Sequence, residues 1–293
     1  MQRFLNPKND FVFKRLFGTE KNKGILIQFL NDVFEGKQDT IEDVEFLKSN
    51  QDPEVATLRQ SIVDVMCRDS KGNRFIIEMQ CATDTHFIQR AVAYACRAYL
   101  NQKTGAEGYG IMKPVIFFAI MKRTLFKDKA EYLSHHRVTD VCTGENDIKN
   151  LSFSFLELSK FRKKSINELE TNVERWAYFF KNAQSTSPED LERLERDDKL
   201  FWRAYTALAE YNYTPEELLE YERYEMKQDE IATSLSDAEA RGRAKGREEG
   251  KLKGKREMAL ELLLAGVDPD IVVRTSGLSP DEIESFRNSD PGK

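Results

Sequence analysis

Between residues 61 and 80 the chain reads SIVDVMCRDSKGNRFIIEMQ, two apolar runs around a polar turn. The pattern predicts a β-hairpin. Its oddity is the acids: Asp64 lies inside the first run, and Glu78 and Gln80 inside the second. Strand side chains alternate between faces. Val63, Val65 and Cys67 therefore point one way, and Asp64 and Met66 the other. In the second run Phe75, Ile77, Met79 and Cys81 share one face, and Ile76, Glu78 and Gln80 the opposite one. Register decides whether the acids meet. If Ser70-Lys71-Gly72 is a three-residue loop, Gly72 takes the last loop position, where the common form of that turn needs φ > 0. Asp69 then faces Asn73 and, further along, Asp64 faces Glu78. A two-residue Lys71-Gly72 loop slips the pairing by one and sends the acids to opposite faces. The glycine position favours the first register.

Directly opposed residues have Cβ atoms about 4.5–5.5 Å apart. Two half-buried carboxylates that close repel each other. Such a pair either holds a proton on a raised pKa or binds a cation. Hard oxygen ligands suit Mg²⁺ or Mn²⁺. Gln80, on the same face, can hydrogen-bond a water or a phosphate oxygen but cannot act as a general base. The competing reading is a solvent-facing hairpin side with incidental polar residues. Met66 and Ile76, neighbours on that face, argue against a fully wet one.

Helical spacing predicts a short amphipathic helix over 9–17 and a firmer one over 20–36, with Ile25, Phe29, Leu30 and Val33 on one side. Residues 40–49 suit an edge strand. Over 83–103, Ile88, Ala91, Val92, Ala95, Cys96 and Tyr99 fall at helical spacing, and Asp84 or Thr85 can cap the start. Residues 113–121 lack alternation and predict a central strand covered on both faces. Residues 151–161 suit another strand. From about residue 165 the pattern is helical only. Ile166, Leu169, Val173, Trp176 and Phe180 mark one helix, and Phe201, Trp202, Tyr205 and Leu208 another. An α/β core followed by a helical portion is the implied architecture.

Composition narrows the function classes. A chain of 293 residues with net charge −5 is not a basic nucleic-acid coat, so any nucleic-acid contact is local. The apolar run VIFFAIM is far short of a membrane span, and the start MQRFLNPKND has no apolar signal-peptide core. Cys67, Cys81, Cys96 and Cys142 show no C-x-x-C spacing; they read as reduced, buried small hydrophobes of a cytoplasmic protein. His86, His135 and His136 form no zinc motif, which leaves a zinc enzyme or a Ser-His-Asp hydrolase little support.

The tail is distinct. Gly242, Gly246, Gly250 and Gly254 recur every four residues, and residues 241–256 carry eight bases against two acids. Three readings stay open: an oligomer seam, a basic DNA-gripping arm, and a charged linker. The last stretch holds three short helix patterns, with Asp268-Pro269 and Ser279-Pro280 at two starts and a capping box from Ser279 to Glu282. Its acidic final helix makes a poor groove reader, so a packing or association module is favoured.

An Asp in one strand and Glu-x-Gln in the next, then a helix and an apolar third strand, resembles the PD-(D/E)XK nuclease superfamily. More narrowly the chain resembles its recombination-promoting nuclease and transposase family of bacteria. NPKNDFVFKRLFG, IVDVMCRDSKGNRFIIEMQ, QRAVAYACRAYLNQ and FSFLELSKF carry the likeness. The resemblance implies a restriction-endonuclease-like mixed sheet flanked by helices, and a magnesium-dependent DNA endonuclease linked to recombination or transposon-like mobility. Asp64 and Glu78 would hold Mg²⁺, or Mn²⁺ in its place, with the backbone carbonyl of Met79. The superfamily's catalytic Lys is Gln80 here, which leaves the positive charge unassigned. Lys14 or Arg90 is available to supply it, and Asp10 to add a ligand; the alternative is a surface pair Asp10–Lys14 at i, i+4. Arg90, Tyr94 and Arg97 share a side of their helix, suited to phosphates, or simply to solvent.

The expected layout is a nuclease-like core at 1–162, a helical extension at 163–235, a Gly-periodic helix or linker at 236–259 and a helical module at 260–293. DNA is the expected partner, with homo-oligomers forming through the C-terminal helices and no membrane association. The alternative function is a catalytically impaired nuclease fold that binds DNA or a partner.

Overall fold

A computed structural model describes residues 4–48, 50–51, 61–81, 85–102, 109–197 and 199–288. The hairpin is present, and the turn settles its register. Strands β4 (Val65–Asp69) and β5 (Arg74–Gln80) pair antiparallel, with Val65 opposite Ile77, Met66 opposite Ile76 and Cys67 opposite Phe75. That is the three-residue-loop register. Gly72 sits at φ +88°, and its N–H donates to the Asp69 carbonyl at 3.0 Å. The Asp69 carboxylate closes the turn, accepting from the N–H groups of Lys71 (2.9 Å) and Asn73 (2.8 Å).

The first apolar run is not one strand. Ser61–Ile62 (β3) pairs instead with Asn50–Gln51 (β2), and the chain bends at Asp64 before β4 begins. The expected edge strand over 40–49 is confined to β1 (Val44–Phe46); Ser49 lies outside the described residues. With β6 (Val115–Met121), β7 (Leu133–Arg137) and β8 (Leu151–Glu157), the main sheet has the order β1-β4-β5-β6-β8-β7. The β5–β6 and β6–β8 pairs are parallel and the other three antiparallel. β6 is the strand read as covered on both faces, and every one of its residues is buried.

Strand β7 escaped prediction because its sequence, LSHHR, has no apolar alternation. Tertiary contacts hold it. His135 Nδ1 lies 2.9 Å from Ser154 Oγ, and the His136 ring packs on Phe126 and Phe155 with centroids 5.0 and 5.5 Å away.

Helices α1 (Asp10–Phe17), α2 (Lys23–Val33), α4 (Asn172–Asn182) and α6 (Lys199–Leu208) cover one sheet face, and α5 (Pro188–Asp197) packs on α6. Their shared core is aromatic: Phe13, Phe17, Phe29, Phe180 and Trp176 are fully buried with Phe118 of the sheet. Asp32 anchors it, accepting from Trp176 Nε1 (2.7 Å), Asn172 Nδ2 (2.9 Å) and Gln28 Nε2 (2.8 Å). These bonds make its burial tolerable. The helix read from Ile166 starts later, at Asn172, because Thr171 and Glu174 form a capping box there; Ile166–Glu168 is a separate 3₁₀ turn.

Helix α3 (Phe87–Leu100) packs on the other face. Its buried stripe is Phe87, Ala91, Ala95 and Ala98, so Ile88 and Val92 stay 43% and 42% exposed, against expectation. The alanines let the helix sit close over Phe117 and Val115. His86 is the N-cap and makes no side-chain capping bond; Thr85 does not cap, and Asp84 lies outside the described residues. The cysteines also differ from expectation. Only Cys67 is buried, Cys81 and Cys96 are half-buried, and Cys142 is exposed; all are free thiols.

The chain forms two compact units, Met1–Glu225 and Met226–Lys293. The Gly-periodic segment is helical, within the 50-residue α7 (Pro215–Leu264). In the second unit, Ala259, Val272, Leu278 and Ile283 form a small core with α8 (Pro269–Ser276) and α9 (Pro280–Asn288). The Ser279–Glu282 capping box is present, with bonds of 3.2 and 3.3 Å. Among the described residues no helix is long and apolar enough to cross a membrane.

Gly72→Ala should destabilise the protein by about 1 kcal/mol or more, since the left-handed backbone disfavours any Cβ. The added atom would also stand 3.0 Å from Lys113 Cγ. Urea denaturation reads this directly. A second expectation concerns acid. Burial holds His135 down to about 4, from an ordinary 6.5. The unfolded chain therefore takes that proton first, and stability falls as pH drops from about 6.5 toward 4. Melting curves across that window should be flatter for His135→Gln than for the parent.

Candidate active site

The parallel strands of the sheet end together. Gln80 of β5 is paired with Met121 of β6, and Met121 with Glu157 of β8. Ligands of open α/β sheets bind beyond such carboxyl ends. β4 runs antiparallel to β5, so Asp64, just before its start, reaches the same end.

Alternation along β5 builds the site. The Gln80 carbonyl points to β6 and accepts the Lys122 N–H at 2.9 Å. The backbone groups of Met79 point the other way, toward β4. The Met79 N–H donates to Asp64 Oδ2 at 2.8 Å. Asp64, with a side chain 11% exposed, is thereby pinned beside β5, and its second oxygen lies 3.3 Å from Lys14 Nζ. Glu78 is 7% exposed, and its Oε1 has no hydrogen-bond donor among the described residues. The two carboxyl groups come within hydrogen-bonding reach of each other, a contact that becomes a bond only when one carries a proton.

Electrostatics follow from this crowding. Burial, and then the neighbouring Asp10, push Asp64 up to about 6, against the pull of the Met79 N–H and Lys14. Burial and the charge of Asp64 hold Glu78 well above the ordinary carboxylate range, with Arg90 and Lys14 opposing. An acid pair whose burial is this poorly compensated is suited to a cation or a proton.

Two cations flank the acids. Lys14, one turn along α1 from Asp10, bridges Asp10 (2.8 Å) and Asp64 (3.3 Å). Burial works against its charge, but the two acids outweigh it and its pKa is raised. The i, i+4 pair is therefore real, and Lys14 also reaches the hairpin, which spacing alone does not reveal. On the other side Arg90 of α3 donates to Gln80 Oε1 at 2.8 Å. Its guanidinium stacks 5.1 Å from the Phe87 ring centre and 6.0 Å from that of Tyr94. Burial raises the Tyr94 hydroxyl, with Arg90 opposing and the charges of Glu78 and Asp64 adding to it. Arg97 is about two turns beyond Arg90 on α3 and contributes only a minor pull on Tyr94. Thus Asp10, Lys14, Asp64, Glu78, Gln80, Arg90 and Tyr94 are brought together. Among the described residues, no set of three or more His, Cys, Asp or Glu side chains gathers as metal ligands.

A mixed six-stranded sheet flanked by helices, with an Asp and a Glu-x-Gln at adjoining strand ends, defines a PD-(D/E)XK-like nuclease fold. Comparison with family profiles matches residues 7–237 to the PD-(D/E)XK nuclease family transposases, and the chain belongs to that family. Neither the curated proteins nor the solved structures contain a significant match. The family places the protein among hydrolases of nuclease and transposase type, a class that generally uses divalent metal ions.

Removing one of the crowded acids should relieve the fold. Glu78 with a raised pKa binds its proton more tightly when folded, so its contribution worsens as pH rises above the unfolded value. Glu78→Gln is expected to raise Tm at pH 7.5 in metal-free buffer and to lose that gain toward pH 4, as read by scanning calorimetry. A loss of stability at pH 7.5 would mean that Glu78 is a structural group.

Proposed function

We propose that the protein is a Mg²⁺-dependent DNA endonuclease serving recombination or transposon-like mobility. The observation that carries this is the opposed pair Asp64–Glu78, with Glu78 Oε1 buried and lacking a donor among the described residues. Two adjoining oxygen donors of negative charge fit a hard divalent ion. Asp64, Glu78 and the backbone carbonyl of Met79 would hold it. When bound, such an ion lowers the pKa of a water and draws charge from the scissile phosphodiester.

The chain's own residues have distinct parts in this reading. The Met79 N–H fixes one oxygen of Asp64 and leaves the orientation of the other to Lys14. Lys14 is in contact with Asp64 of the acid pair and is proposed to stabilise charge on the phosphate. Asp10 positions it through the 2.8 Å ion pair. Gln80 replaces the usual lysine; Arg90 orients its amide, so the pair offers hydrogen bonds without a base. Tyr94 and Arg97 are proposed to contact DNA beside Arg90. In the reaction a water adds to phosphorus, one P–O ester bond breaks, and the departing oxygen takes a proton.

The competing reading, a nuclease fold that has lost cleavage, draws on Gln80 and on the Lys14 contact that occupies Asp64. Plasmid nicking separates the two. Wild type with Mg²⁺ should nick supercoiled DNA, EDTA should abolish it, and Asp64→Ala and Glu78→Ala should each cost at least about 100-fold. Equal behaviour of all three proteins would favour the impaired reading.

We also propose homo-oligomers through α7, whose Gly242, Gly246, Gly250 and Gly254 are exposed, with nothing but their own helix within 4 Å of an added Cβ among the described residues. The full chain should sediment with more subunits than one ending near residue 235. Cytoplasmic residence is proposed from the four free thiols, one of them exposed.

A further inference from the structure

Four basic side chains from separate segments meet at the sheet edge where the acid pair sits. The Lys122 N–H donates to the Gln80 carbonyl and the Leu158 N–H to that of Met121, each at 2.9 Å, so the chain leaves β6 and β8 at the level of Gln80. Cys81 Sγ donates to the Lys8 carbonyl at 3.2 Å, which brings the first segment to the same edge. The Lys8 ammonium donates to the Phe180 carbonyl, and that of Lys181 to the Phe161 carbonyl at 2.7 Å. Arg162 follows Phe161.

Among the described residues none of Lys8, Lys122, Arg162 and Lys181 forms an ion pair. They do feel one another. Burial brings Lys8 to about 8, with Lys122 and Lys181 adding and Cys81 and Glu225 opposing. Burial and then Arg162 lower Lys181. The nearby acid, Glu225, accepts instead from Asn9 Nδ2 at 2.9 Å. Gathered like charges without counter-ions are unfavourable, and an anion would relieve them.

The backbone under this cluster is fixed. Glu157, fully buried at the end of β8, accepts from the N–H groups of Leu125 (2.6 Å) and Phe126 (3.1 Å) and from Lys160 Nζ (2.7 Å). Lys160 Nζ also donates to the Phe126 carbonyl at 2.8 Å. The segment after Lys122 is thus bolted to the segment before Arg162. Neighbouring strands lie about 4.8 Å apart, so the ends of β5 and β8 are about 10 Å apart. That is about three nucleotide steps of 3.4 Å on one strand.

We propose that Lys8, Lys122, Arg162 and Lys181 form a track for the sugar–phosphate backbone of DNA, leading away from the Asp64–Glu78 pair. The proposal rests on the nuclease reading above and adds the path of the substrate. Contacts of this kind set the position of the strand and carry no sequence information. Glu157 acts as a positioning residue that keeps the β6 and β8 ends of the track in step.

The test is DNA affinity without metal, by fluorescence anisotropy of a short labelled duplex in EDTA over a salt series. Lys122 and Arg162 are exposed, so Lys122→Gln/Arg162→Gln leaves the core alone. The double variant should bind about tenfold more weakly, with a log–log salt slope shallower by about two. Parent binding with unchanged variant affinity and slope overturns the track and leaves the nuclease reading standing. A parent that binds no duplex at any salt overturns the track, and plasmid nicking with Mg²⁺ decides the nuclease reading separately. Competition by a mononucleotide as strong as by DNA, per phosphate, would mark an isolated anion site and also overturn the track.

Discussion

Opposition of Asp64 and Glu78 across the hairpin is the constraint to which the rest of the molecule answers. Taking two carboxylates out of water side by side is costly unless charge or hydrogen bonds compensate. The hairpin cannot avoid the cost by slipping. Slippage by one residue would bring Phe75 and Ile77 out of the aromatic core, where both are fully buried, and would strain a turn built around Gly72 and Asp69. Apolar burial on one face therefore forces the acids together on the other. The bend at Asp64 completes the arrangement, because leaving the ladder there lets the carboxylate reach the Met79 N–H.

The two sheet faces divide the labour. One carries a thick aromatic layer, with Trp176, Phe29 and Phe180 tied through Asp32 to α2 and α4, and it provides rigidity. The other is closed by α3, whose alanines allow a close approach. Both faces deliver a cation to the strand ends: Lys14 from α1 and Arg90 from the start of α3. Each is held by a partner of its own, Asp10 for Lys14 and the Phe87 ring for Arg90. Fixed dipoles and charges of this sort need little reorganisation when charge develops on a substrate.

Legibility in the sequence tracked how local the cause was. The hairpin register could be read because Gly72 and the alternation of Phe75, Ile77 and Met79 are local signals. The buried β6 could be read from VIFFAIM alone. Strand β7 could not, since LSHHR is held by Ser154, Phe126 and Phe155, which lie far along the chain. The buried side of α3 was misjudged because alanines, not Ile88 and Val92, meet the sheet; sequence hydrophobicity ranks them the other way. The late start of α4 was written in Thr171 and Glu174, a capping box that the apolar stripe from Ile166 obscured. In the site, the acids were legible from strand period. The reach of Lys14 to Asp64 was not, because it depends on how α1 meets the sheet.

That reach bears on the absence of a lysine two residues after Glu78. A lysine at position 80 would compete with Arg90 for the same space and add a third cation beside a buried acid that Lys14 and Arg90 already influence. What matters at the phosphate is the field, which depends on distance and local dielectric rather than on the strand or helix that carries the charge. Lys14 stands 3.3 Å from Asp64, so under the proposed function it would supply that field from α1. Gln80, held by Arg90, would then serve there as a neutral hydrogen-bonding group. Glu-x-Gln is in this light a coherent alternative to Glu-x-Lys, provided that α1 is present. The family match, which begins at residue 7, includes all of α1.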